Sequence, residues 1–154
     1  MNKKINMKTV FDAVVREELV SRINSLTLQN NAQWGKMNVA QMLKHCILCD
    51  EMFLGKLKIE RVFIGRLIGP MLLKKLLKDD RGFGRNSPTS QLLKTTSQNC
   101  DIDLNKKEWI SNIEQFAVYN NANFIHPFFG PMTKDQVGCF AYKHADHHLR
   151  QFGA

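Results

Sequence analysis

The sequence predicts an all-α fold, a four-helix bundle with an extra short or kinked helical insertion in its middle. Three observations carry this expectation. Strand-like alternation is almost absent, apolar residues recur at helical spacing in several separate windows, and paired capping residues stand in front of some of those windows. With 154 residues, the chain is long enough to bury a core without disulfides or a structural metal, and no linker or repeat divides it, so a single domain over 1–154 is expected. Hydrophobic residues at 44% and charged residues at 23% fit a globular protein and exclude a disordered one.

The first helix is expected over 8–27, where Val10, Phe11, Val14, Val15, Leu19, Ile23 and Leu26 form one broad apolar face. After the polar stretch QNNAQWGK, Asn38 and Gln41 make a capping-box start, and Met42, His45, Cys49 and Phe53 follow along one stripe of the second helix. Residues 59–79 are apolar but broken by Gly65, Gly69 and Pro70, which predicts two short helices or one kinked one. Arg66, Lys74 and Lys75 within it argue against a membrane span. Residues 79–91, rich in Gly, Asn, Ser and Pro, predict a long loop. Asn105 with Glu108 predicts a second capping box, with Leu104 stapled onto Trp109 and a helix running to about Asn120. Residues 120–132 predict another loop, and Thr133 with Gln136 starts the last helix, Met132 and Val137 forming its staple.

The formal charge of +8 is concentrated. Between Lys56 and Arg85 nine bases face three acids, a surplus of six. That segment holds no helix-turn-helix, zinc-finger or aromatic-interleaved RNA-binding pattern, so nucleic acid is not the expected partner. Its apolar content points to a dimer surface, a lid or an interfacial membrane helix, in that order. The N-terminal stretch lacks the continuous apolar run of a secretory signal, which predicts a cytoplasmic protein. Cys46, Cys49, Cys100 and Cys139 sit in apolar or helical patterns and are expected to be reduced thiols.

Three of the five histidines fall within AYKHADHHLRQFG, residues 141–153. On the last helix Val137, Ala141, His144 and His148 follow steps of four, three and four, so a core stripe continues into two histidines. Residues i and i+4 are neighbours on a helix surface, close enough for two imidazoles to meet one ion. His45, on the apolar stripe of the second helix, is the candidate third ligand. His147 is expected to face solvent, with Lys143, Asp146 and Arg150 on the polar faces. Hydrogen-bonded core histidines satisfy the same spacing, and spacing alone does not choose between the two.

WGKMNVAQMLKHC (Trp34 to Cys46) together with HPFFGPMTKDQVGCFAYKHADHHLRQFG (His126 to Gly153) resembles the DinB-like superfamily, in particular a bacterial branch of unknown function. The likeness extends over most of the chain and is weakest in the basic middle segment. It implies a four-helix bundle, often a homodimer, with a divalent metal on one histidine of the second helix and an H-x-x-x-H pair of the last; here these are His45, His144 and His148. Zn or Ni is the first expectation, and imidazole also suits Fe and Mn. Three imidazoles leave a coordination position open, which points to hydrolysis or to S-transfer of a thiol on a small-molecule substrate, with a low-molecular-weight thiol as the implied partner. A non-catalytic bundle binding a small ligand or a protein is the alternative. His126 before proline reads as structural, Cys46 and Cys49 as core thiols rather than a C-x-x-C centre, Met42 and Met52 as core, and Trp34, Phe128 and Phe129 as end plugs of the bundle.

Overall fold

The computed structural model describes residues 7–87, 90, 93–94 and 101–154, so Cys100 and part of the 79–91 loop lie outside the described residues. The protein is mostly helical, with five α-helices and one two-stranded hairpin among the described residues. Helix α1 spans Ala13–Ser25 and is shorter than its apolar pattern. The residues before it are drawn off the helix axis: Val10 N–H donates to Gly138 O at 3.2 Å, and Arg16 donates to the carbonyls of Val10 and Phe11 at 3.1 and 2.7 Å. Val10 is therefore fully buried from outside the helix, while Val14, expected on the buried face, is 76% exposed.

Helix α2, Val39–Phe53, starts as its sequence predicts. Gln41 N–H donates to the Asn38 side chain at 2.8 Å, and Asn38 N–H donates to the Gln41 side chain at 3.0 Å. Residues Phe63–Leu76 form the single helix α3, which continues through Pro70. Gly65 and Gly69 explain its placement. A Cβ would stand 2.3 Å from Phe128 O at Gly65 and 2.1 Å from it at Gly69, so backbone rests directly on backbone. Gly69→Ala gains roughly 1 kcal/mol of helix propensity, but backbone cannot yield as a side-chain tip can. The overpacking costs about 1–3 kcal/mol or more and is expected to outweigh that gain, read as a lower urea midpoint; an unchanged midpoint would refute the close seat.

Helix α4, Ile102–Gln115, is capped by Asp101 and not by Asn105. The Asp101 carboxylate accepts from the N–H groups of Asp103 and Leu104, both at 3.0 Å, which starts the helix four residues earlier than expected. Leu104 is consequently exposed and makes no staple, and Asn105 is buried within the helix. The helix passes into a 3₁₀ turn at Phe116–Val118. Within the expected loop that follows, β1 (Ile125–His126) and β2 (Gly130–Pro131) pair antiparallel, His126 opposite Gly130. Helix α5, Lys134–Gln151, begins with the expected Thr133–Gln136 capping box, its bonds 2.9 and 3.2 Å long.

α2 packs on α4 and α5, α1 packs on the same two, and α3 rests on β2. Between them lies a core of Leu19, Ile23, Leu43, Ile47, Trp109 and Leu149. Among the described residues no helix is long and apolar enough to cross a membrane.

Candidate metal centre

α2 and α5 bring His45, His144 and His148 together, only 4, 9 and 7% exposed. Their ring centroids lie 5.1 Å (45 to 144), 4.8 Å (45 to 148) and 4.7 Å (144 to 148) apart, and one nitrogen from each falls within 4.8 Å of the others. Three neutral imidazoles this close can hold a metal ion.

The surrounding hydrogen bonds decide which nitrogens are available. His45 Nδ1 lies 2.7 Å from the carbonyl of Leu93, which only accepts, so Nδ1 carries the proton and Nε2 keeps its lone pair. His148 Nδ1 lies 2.8 Å from Gln151 Oε1. The amide is oriented by its other end, because Gln151 Nε2 donates to Trp34 O at 2.8 Å. His148 Nδ1 must therefore donate, and its Nε2 is also a bare lone pair. His45 Nε2 and His144 Nε2 are 3.1 Å apart. Two lone pairs at that distance repel unless His144 carries its proton there or a cation lies between them. The second arrangement would let the three hold a metal ion, with Leu93 and Gln151 supplying outer hydrogen bonds of the kind that metal-ligating histidines make.

Electrostatics agree with ligation by neutral imidazole. Burial pushes His45 down, pushes His144 well below its ordinary value with help from His148 and His45, and takes His148 to about 3.

Other parts of α5 differ from the helical-wheel expectation. His147 is half-buried, its ring edge-on to Trp34 at 5.4 Å and 5.9 Å from Phe83. Lys143 is buried because its ammonium donates to the carbonyls of Leu76 and Asp79 at 2.5 and 2.8 Å, closing the end of α3. Asp146 is buried by ion pairs with Arg22 at 2.8 Å and Arg150 at 3.0 Å. Residues 33–34 and 79–83 lie over faces of α5 that a wheel leaves to water. Gly35 shows how close that cover comes: with φ at +82°, a Cβ there would stand 2.8 Å from Gln151 Nε2.

Cys49 Sγ is 3.9 Å from His45 Nδ1 and 3.7 Å from Nε2. Near-equal distances put the sulfur beside the ring rather than along the Nε2 lone pair, where a shared ion would lie. Burial also raises the Cys46 and Cys49 thiols well above their usual range, so the C-x-x-C pair is core. His126 sits in β1 with Nδ1 accepting from Phe128 N–H and Phe129 N–H at 3.1 and 3.2 Å, and burial lowers it to about 4. It fixes the hairpin turn, as its position before proline suggested. Gln151 and Phe83 were missed as site residues. Gln151 was within reach of the sequence, three residues from His148 on one helix face; Phe83, 6.4 Å from His144, depends on a loop path that no periodicity encodes.

Fold and site together define a mostly helical protein with a buried three-histidine group able to hold a metal ion. Residues 6–154 match the family described as Protein of unknown function (DUF1569), and the chain belongs to that family. Comparison with curated proteins and with solved structures gave no match.

Proposed function

We propose that the protein is a divalent-metal-dependent enzyme of the DinB-like kind, a thiol S-transferase or hydrolase. In this reading α1, α2, α4 and α5 are its four-helix bundle, α3 is the insertion, and the chain is one domain that pairs as a homodimer. His45, His144 and His148 hold the ion, Zn or Ni in the first place and Fe or Mn after them. The observation that carries the reading is the pair of outer hydrogen bonds, Leu93 O to His45 and Gln151 to His148. Each spends Nδ1–H on an oxygen and leaves Nε2 bare beside the third imidazole.

The chain's own residues supply binding and orientation. His45 and His148 are held in one tautomer, and burial keeps all three imidazoles neutral at pH 7. Phe83 and Phe140, 4.9 Å apart, line an apolar cover that limits water at the His144 edge. A divalent ion bound there supplies Lewis acidity, which acidifies a coordinated water or thiol on a small-molecule substrate.

The low exposure of all three histidines favours a second reading, in which the ion is a staple joining α2 to α5 in a non-catalytic bundle. Metal content of untagged protein, wild type against His144→Ala, tests the metal. Near-stoichiometric Zn or Ni lost in the variant supports it, and no uptake after incubation with Zn, Ni, Fe or Mn defeats both readings. Water relaxation of the Mn²⁺-loaded protein then divides them, since an open site exchanges water and a closed one does not.

A further inference from the structure

We propose that the outer face of α3 is a docking surface for a membrane that carries anionic lipids. Phe63, Leu67 and Met71 follow one another at steps of four and are 75, 67 and 66% exposed, with Ile64 and Ile68 exposed alongside. Five large apolar side chains on one short helix form a contiguous stripe of the kind that marks an interaction site.

The stripe cannot turn inward. Gly65, Gly69 and Leu73 occupy the opposite face, and the two glycines lie against the backbone of Phe128 and Phe129 without room for a Cβ. Any rotation that hid Leu67 would drive side chains into that backbone. The same seat argues against α3 acting as a lid, because opening would require parting from the hairpin.

Charge selects the occupant. From Arg61 to Lys78 the chain carries Arg61, Arg66, Lys74, Lys75 and Lys78 and no acid. At 100° per residue, Lys74 and Lys75 fall on the same outer arc as the apolar residues, about two turns beyond Leu67, and Lys78 follows just past the helix end; all three are exposed. A second copy of this face would bring like charge against like charge. Nucleic acid would match the lysines but leave the apolar stripe in water. An anionic bilayer satisfies both, taking the apolar side chains into the acyl boundary and the ammonium groups at headgroup level.

The test is co-sedimentation of the full chain with vesicles of phosphatidylcholine and phosphatidylglycerol, against phosphatidylcholine alone, at low and high salt. Binding is expected only with the anionic lipid and should fall at least tenfold at high salt. It should fall as far in Leu67→Ser/Met71→Ser and in Lys74→Glu/Lys75→Glu, both confined to exposed positions and checked for native helicity. Absence of binding at low salt overturns the proposal. So does binding indifferent to the serine pair, which would be charge alone, and so does a solution dimer that the serine pair splits, which would give the face to a second copy.

Discussion

Freed of any bound metal and titrated from pH 7 towards pH 4, the protein is expected to lose stability. All five histidines lie below their ordinary value of 6.5, burial being the first cause in each: His45 and His147 lowered, His144 well below, His126 at about 4 and His148 at about 3. The unfolded chain takes up these protons near pH 6.5 while the folded chain stays neutral. Stability is therefore fully present above 6.5 and falls as pH drops towards the folded values, by about 1.4 kcal/mol per pH unit for each of His126 and His148, with His45, His144 and His147 adding in the same direction. One group runs the other way. Asp50, buried beneath Trp109 Nε1–H at 2.9 Å, is raised to about 8 by burial, so it favours the fold increasingly as pH falls from 8 towards 4. It offsets one histidine, and the remaining ones still leave a net loss of at least about 1.4 kcal/mol per unit, against a domain stability of about 5–15 kcal/mol. Urea unfolding in chelator at pH 7, 6 and 5 measures it. His126→Asn, which leaves the three-histidine group intact, should remove one histidine's share of the slope. A flat profile would mean that these imidazoles are hydrated in the folded protein.

Gln151→Leu is expected to weaken metal binding about 10–100-fold without unfolding the protein, because an outer hydrogen bond to a ligating histidine contributes on that scale. Leucine fills similar space but cannot accept the His148 Nδ1 proton or donate to Trp34 O. Gln151→Glu keeps the acceptor and should recover much of the loss, which a mere packing role would not allow. His148→Ala removes a ligand and should weaken binding further still. Zn²⁺ competition titrations of the three variants give the order directly. Wild-type affinity in Gln151→Leu, with binding lost in His148→Ala, would leave the metal in place and remove Gln151 from its support.

Much of this was legible in the chain, and the errors share a cause. Asn38 with Gln41 and Thr133 with Gln136 were read correctly because a capping box is a local device, complete within four residues. The stripes put His144 and His148 on one face of α5 and His45 on the apolar face of α2 because helical period sets which residues of one helix share a face; the packing of α2 on α5 then brings the three together. Asn105 with Glu108 offers the same local pattern, and Asp101 prevails by bonding two N–H groups at once. Lys143, Asp146 and His147 were assigned to polar faces on the assumption that one side of a helix meets water. That assumption fails when loops distant in sequence lie over it, since burial there is fixed by tertiary path. The hairpin at 125–131 was missed for a related reason, as two-residue strands carry no alternation to read.

His45 and His144 stand 99 residues apart in the chain, on α2 and on α5. The group they form has no partial version: before α5 docks, α2 offers a single imidazole, and α5 alone offers a pair without its cross-helix partner. An ion bound by all three therefore closes a loop of that length, much as a covalent cross-link would. The full three-histidine group exists only while α2 and α5 stay docked, and their parting leaves an ion at most the His144–His148 pair. The exchange rate of an ion held there, readable with isotopes under native conditions, would set an upper limit on how often the two helices part.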